Sequence, residues 1–262
     1  MSAPMLLVGR GSRRARATPE VTAPRERRPT GFMERAIPLL VLSLVLFCPS
    51  GFAADNQLTD SEKLQGWILL FDGKALDGWM TSASQPSKTP VEQSALNPHR
   101  SGAYMLVHTQ QWANFLLTLD FKITNGCNSG IFVRTISLTP KPGRDVGFNG
   151  LEIAIDDTKD AGFHDTGALY DLVKPTKNAM KSVGEWNHIE IACLGSRIEV
   201  ALNGEPVTRA DLDLFDRPGV RPDGSAHKFD IAWKDHPRRG YIGLQDHGSP
   251  CWFKNIKLRP LP

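Results

Sequence analysis

"NFLLTLDFKITNGCNSGIFVRT", Asn114–Thr135, decides the fold class. Phe115, Leu117, Leu119, Phe121 and Ile123 fall on one face of an extended chain, with Leu116, Thr118, Asp120 and Lys122 on the other. Side chains alternate across a strand with period two, so the run reads as a strand with one buried face. Gly126-Cys127-Asn128 then makes a turn, and Ser129–Thr135 is again extended, which predicts a hairpin. Working outward, "WNHIEIACLG" alternates Ile189, Ile191 and Cys193, and "SRIEVALNGEPV" alternates Ile198, Val200 and Leu202 before Asn203-Gly204. Asn-Gly between alternating runs is a strong hairpin signal, because both residues accept positive φ. "GYIGLQDHG" and "CWFKNIKLRPL" close the chain in the same manner. Many short strands separated by turns predict an all-β fold, a jelly-roll sandwich of two antiparallel sheets.

The N-terminal quarter reads differently. Residues 1–32 are rich in Arg and Pro with no apolar period, either a disordered extension or the product of a start codon assigned too early. From Met33 the chain reads as a secretory signal: Arg35, an apolar run from Ile37 to Phe47, then small residues before Ala54. The run is too short to span a bilayer. Cleavage after Ala53 is favoured over lipid attachment at Cys48, which bulky Phe47 precedes. The expected domains are therefore 1–32, a signal at 33–53, and one sandwich domain at 54–262, secreted or periplasmic. Residues 1–53 hold eight Arg against three acids, a charge of +5, so the chain's +3 leaves −2 on the rest. No basic stripe remains for nucleic acid, and no membrane insertion is expected after cleavage. Cys127, Cys193 and Cys251 allow at most one internal disulfide, and Cys127–Cys251 is the pair to test.

"GLEIAIDD", Gly150–Asp157, carries the first chemical signal. Leu151, Ile153 and Ile155 require a core, so Glu152, Ala154 and Asp156 point the other way. Acids on a wet face explain this pattern as well as acids lining a sugar groove. In a flat strand positions i and i+4 lie about 13 Å apart at ~3.3 Å per residue, too far for an ordinary glycosidase pair unless the sheet curves. Other polar groups in unusual places are Asn128, Arg134, Tyr170, Gln245 and His247. A divalent metal could use His247, Asp246 and Glu152, although no close His-x-His or His-x-x-x-His spacing supports it. No phosphate-cradling glycine loop or serine nucleophile elbow is present. Long insertions at 81–102, 137–149, 156–186 and 209–238 are candidates for walls of a site.

Six segments in order, "GWILLFDGKALDGWM", "NFLLTLDFKITNGCNSGIFVRT", "NGLEIAIDDT", "TGALYDLVKPTKNAMKSVGEWNHIEI", "VALNGEPV" and "GYIGLQDHGSPCWFKNIKLRPL", together resemble the 3-keto-disaccharide hydrolase family. The likeness runs from about Leu64 to Leu261. It implies a concanavalin A-like jelly roll whose concave sheet binds carbohydrate, and cleavage of glycosides already oxidised at C3. The 3-keto group acidifies the C2 proton; a base removes it, the aglycone leaves C1, and water adds. On this resemblance Glu152 is the base or a metal ligand, His247 the second acid/base or ligand, and Arg134 and Asn128 bind or polarise the substrate oxygen. Asp156, Tyr170 and Gln245 contact sugar hydroxyls, and Ala154 stands where the family often has Gln. The alternatives are a laminarinase-type endo-glycosidase and a non-catalytic carbohydrate-binding module.

Overall fold

A computed structural model describes residues 54–262; the extension and the signal expected at 1–53 lie outside the described residues. A capped helical turn α1 (Asp60–Leu64) opens the domain. The strands follow in chain order: β1 (Ile68–Leu69), β2 (Trp79–Thr81), β3 (Met105–Trp112), β4 (Phe115–Ile123), β5 (Asn128–Thr135), β6 (Leu151–Asp156), β7 (Asn187–Leu194), β8 (Arg197–Leu202), β9 (Glu205–Asp211), β10 (Gly240–Gln245) and β11 (Cys251–Pro260). They form two antiparallel sheets, one ordered β1-β11-β4-β7-β8-β9 and the other β2-β3-β10-β5-β6. No helix among the described residues is long and apolar enough to cross a membrane.

The alternation read from the sequence sets what each sheet buries. Phe115, Leu117, Leu119, Phe121 and Ile123 of β4 join Ile189, Ile191 and Cys193 of β7 and Ile198, Val200 and Leu202 of β8. Opposite them lie Ile131 and Val133 of β5, Leu151, Ile153 and Ile155 of β6, and Ile242 and Leu244 of β10. Burying each such side chain is worth about 1.5–3 kcal/mol, so a slip of one residue in any of these strands would expose a whole set. The β8–β9 hairpin turns at Asn203 (φ 52°) and Gly204 (φ 83°), as expected. The hairpin expected between β4 and β5 does not form. β4 pairs with β11 and β7, whereas β5 pairs with β6 and β10 in the other sheet. Gly126 (φ 67°) and Cys127 carry the chain across the sandwich instead. A turn next to two apolar alternations fits both outcomes, because each strand still buries one face. Cys127 and Cys251 are free thiols lying side by side and sharing a hydrogen bond.

The five-stranded sheet also covers part of its outer face. Met105, Val107, Phe132 and Val146 pack there, with Met80, Tyr104 and Leu138 around them. Edge strand β6 is covered too. Ala154 N–H donates to Ala168 O (3.0 Å), Gly167 N–H to Ala154 O (3.0 Å), and Tyr170 N–H to Glu152 O (2.9 Å). The insertion at 156–186 thus runs beside β6 and removes an exposed sheet edge.

Arg134 departs from its expected role. It sits in a left-handed conformation (φ 54°) where the β5–β10 register shifts. The irregularity turns its side chain between the layers, where it is fully buried near Cys193 of the opposite sheet. Nη2 donates to Ala113 O (3.2 Å), and Nε and Nη1 have no partner among the described residues. His236 Nε2 donates to the Arg134 carbonyl (2.9 Å). The arginine therefore belongs to the interior and does not reach the sheet face that carries Glu152. A buried, incompletely paired charge adds little stability over an apolar group of similar length. Arg134→Met is expected to keep its fold, with a melting temperature equal to or above wild type in calorimetry. A large drop in Tm would mean that the guanidinium is stabilising where it sits.

Candidate functional site

β5 and β6 pair without interruption from Asn128↔Asp156 through Gly130↔Ala154 to Phe132↔Glu152. The core claims Leu151, Ile153 and Ile155, so Glu152, Ala154 and Asp156 stand on the outer face with Asn128, Gly130 and Phe132. Glu152 folds over Gly130: a Cβ at that glycine would lie 2.6 Å from Glu152 Oε1 and 2.7 Å from its Cγ. The absent side chain is what lets the carboxyl lie flat on the sheet.

Glu152 is half-buried, with its carboxyl folded onto Gly130. Burial raises its pKa to about 8; the Lys228 ammonium opposes the rise, and the Asp145 carboxylate adds to it. Loss of water outweighs the cation because an ion in a poorly solvated site lacks the hydration it has in bulk. No described residue donates a hydrogen bond to this carboxyl. It is therefore a proton carrier with a lone pair to spare, poised close to neutral pH, as expected of a general acid or base.

Tyr104 stands beside it. Its hydroxyl accepts from Gln245 Nε2 (2.7 Å). Burial, followed by the charges of Glu152 and Asp145, pushes its pKa well up. The phenol keeps its proton and can donate it as a hydrogen bond. Gln245 is itself buried, with Oε1 unpartnered, so it holds Tyr104 and does not present its amide to a ligand. Asp145 caps the short helical turn Val146–Asn149 by accepting from Gly147 N–H (2.8 Å).

The insertions supply the wall. Tyr170 follows directly from its backbone bond to Glu152. His164 stacks on the Tyr170 ring (4.6 Å between centroids), and Lys228 Nζ stands 4.1 Å from the same centroid. Protein thus occupies the faces of the ring, and its hydroxyl is what a sugar can meet. Asp171, in a left-handed conformation (φ 56°), ties the neighbouring loop down. Its carboxylate accepts from Arg221 Nη2 (2.5 Å) and from Lys228 N–H (2.7 Å), and its carbonyl accepts from Arg221 Nη2 (2.7 Å) and Nε (3.1 Å).

Asp156 and His247 form a second station. Burial raises the Asp156 pKa; the carboxylates of Asp165 and Asp157 push it the same way, and His164 and His247 oppose them. Asn128 pairs with Asp156 across the strands. His247 is exposed in the turn after β10. The uninterrupted strand keeps this station about 13 Å from Glu152, at ~3.3 Å per residue. Neither carboxyl feels the other as a leading charge.

Of the residues expected from the sequence, Glu152, Asp156 and Asn128 share the outer sheet face, Tyr170 stands in the insertion beside β6, His247 lies in the turn after β10, and Arg134 and Gln245 are buried. The sequence missed Tyr104, Asp145 and Lys228, none of which stands in a motif. The ligand trio His247, Asp246 and Glu152 does not assemble. Asp246 accepts from Arg100 N–H (2.8 Å) and Gly248 N–H (3.0 Å) and meets His99 Nδ1 (3.3 Å). Among the described residues no three His, Cys, Asp or Glu side chains gather as a metal-binding group. An open depression of about 340 Å³ bounded by Leu76, Met80 and Gln85 lies at the β2 edge, four strand spacings or roughly 19 Å from β6, and holds none of these groups.

Against this geometry, a family model described as a 3-keto-alpha-glucoside-1,2-lyase-like domain matches residues 66–259. The chain belongs to that family. It is 27% identical over 230 residues, 75% of this chain and 79% of the relative, to a 3-keto-disaccharide hydrolase of Bacteroides thetaiotaomicron. Two crystal structures of proteins provisionally described as glycosyl hydrolases of Parabacteroides distasonis share the fold. One is 31% identical with a TM-score of 0.61, covering 74% of this chain and 99% of its own. The other is 24% identical with a TM-score of 0.66, covering 80% and 100%. Membership of the 3-keto-alpha-glucoside-1,2-lyase-like family supports a glycoside-cleaving enzyme with a carbohydrate substrate.

Gly130→Ala is expected to dislodge the Glu152 carboxyl and to lower turnover at least tenfold while shifting Tm by only a few degrees; unchanged turnover would show that the carboxyl does not need this shelf. Linkage gives a second test. The native state holds a proton on Glu152 that the unfolded chain releases near 4.5, so stability falls as pH rises from there to about 8. The Tm advantage of Glu152→Gln over wild type should therefore grow across that window. A constant difference would contradict a raised pKa.

Proposed function

We propose that this protein cleaves 3-keto glycosides by proton abstraction at C2. The observation that carries the reading is the Glu152 carboxyl: half-buried, without a hydrogen-bond partner among the described residues, and pushed up to about 8 by burial. Once ionised it is a far stronger base than an ordinary carboxylate. Glu152 takes the C2 proton of the ketone, and the C2–H electrons form an enolate with the negative charge on O3. Collapse of the enolate restores the ketone, makes a C1=C2 double bond and breaks the bond from C1 to the aglycone oxygen. That oxygen takes a proton, a role we assign to His247 in the turn after β10. Water then adds across C1=C2, placing hydroxyl on C1 and a proton on C2, and the net change is hydrolysis. If water does not add, the same steps amount to a lyase reaction.

The Tyr104 hydroxyl, Asn128, Asp156 and the Tyr170 hydroxyl are the groups we assign to sugar hydroxyls, with Gln245 holding Tyr104. A laminarinase-type reading fits less well. Ordinary glycosidases need carboxyls about 5–5.5 Å or 6.5–9.5 Å apart, and the straight β5–β6 pairing keeps Glu152 and Asp156 farther from each other. A purely sugar-binding role does not call for a carboxyl tuned to titrate near neutral pH. We also propose export from the cytoplasm, on the apolar run that ends before Ala54; N-terminal sequencing of the protein recovered from a cell-envelope fraction tests it, with Ala54 expected first and an uncleaved Met1 or Met33 contradicting it.

The test is aglycone release from a 3-keto glucoside and from the unoxidised glucoside. Release is expected from the ketone only, with kcat/KM rising with pH to a plateau above about 8, where Glu152 is ionised. Glu152→Gln should abolish it. Release from the plain glucoside, or retained activity in Glu152→Gln, would contradict the proposal.

A further inference from the structure

C2 proton abstraction moves charge to the ketone oxygen, and an enzyme that stabilises this charge needs a donor or cation aimed at O3. Arg134, expected from the sequence, lies in the interior. The structure offers another cation on the correct side of the sheet.

Lys228 sits in the insertion before β10, and three rings surround its ammonium. Nζ lies 4.1 Å from the Tyr170 centroid, 5.1 Å from that of Phe148 and 5.5 Å from that of Phe229. Aromatic faces attract a cation without using its N–H donors. Among the described residues, Nζ makes no hydrogen bond and no ion pair, so all three donors are free. It is nevertheless the foremost charged neighbour of Glu152, and Glu152 is the foremost charge acting on Lys228. The two charges act on each other without forming an ion pair or a hydrogen bond among the described residues. The position is also braced. Lys228 N–H is held by the Asp171 carboxylate, which Arg221 grips from the other side, and the residue before Asp171 is bonded to the Glu152 carbonyl. The path from base to cation is therefore a short chain of backbone and charged hydrogen bonds.

We propose that Lys228 is the electrophile of the reaction, donating a charged hydrogen bond to the C3 oxygen as the enolate forms across from Glu152. No bond to lysine is made or broken: the C2 proton goes to Glu152, the electron pair goes to O3, and the ammonium stays protonated. The same contact gives specificity, because only a sugar with a carbonyl at C3 develops negative charge there. The proposal rests on the elimination reading above.

The test compares wild type, Lys228→Met, Lys228→Gln and Lys228→Arg in aglycone release from a 3-keto glucoside. A second readout is C2 deuterium uptake in D2O by a 3-keto sugar that lacks a leaving group at C1. Removing a donor at a developing oxyanion costs roughly 10²–10³ in kcat. Lys228→Met and Lys228→Gln should therefore lose that much in both readouts, with KM within a few-fold, because the charge exists only in the transition state. Lys228→Arg should recover part of the loss. The pH at which activity rises should move upward in Lys228→Met, since Glu152 loses its opposing cation. The side chain is exposed, and Tm should stay near wild type. A loss below fivefold, or a loss confined to KM, would overturn the role of Lys228 while leaving the elimination reading standing. A wild-type protein that exchanges no C2 deuterium and releases no aglycone would overturn the reading beneath it.

Discussion

The alternation Leu151-Ile153-Ile155 is the constraint on which the site depends. Those three side chains lie in the sandwich core, and period-two geometry then leaves Glu152, Ala154 and Asp156 no choice but the outer face. Antiparallel pairing with β5 sets Gly130 beside the Glu152 carboxyl and Asn128 opposite Asp156. The chemistry follows from a packing requirement. A carboxyl brought onto the sheet by its neighbours loses water, finds no donor among the described residues to replace it, and has its pKa pushed up to about 8.

The insertions turn this carboxyl into a site. The 137–149 segment brings Asp145 and Phe148, the 156–186 segment covers the β6 edge and brings Tyr170, and the 209–238 segment brings Lys228. Each is fixed locally: Asp145 by its cap on Gly147, Tyr170 by the Glu152 carbonyl, Lys228 by Asp171 and Arg221. A rigid sandwich with chemistry on bound-down loops separates what holds the fold from what acts on substrate. Arg134 illustrates the divide, since a charged strand residue six positions beyond Asn128 proves to be part of the interior.

Much of this was legible in the sequence, for reasons that are local. Alternation located the strands, Asn203-Gly204 located a hairpin, and the face of Glu152 followed from its neighbours. What was not legible depends on pairing at long range. The turn at Gly126 reads the same whether it closes a hairpin or crosses between sheets. The direction of Arg134 depends on a register shift between β5 and β10 that no residue pattern announces. Gln245 alternates onto the correct face yet is sealed there by Tyr104. Lys228 lies 76 positions beyond Glu152, and only the folded insertion brings them together.

The most direct test of the account is to titrate the carboxyl itself. Protein labelled with 13C at glutamate Cδ, compared with Glu152→Gln to assign the resonance, reports the ionisation of Glu152 without any substrate. A midpoint near 8 is expected. A midpoint near the ordinary glutamate value of about 4.3 would mean that the carboxyl is solvated and fully ionised at neutral pH, and the link from strand packing to proton transfer would be broken.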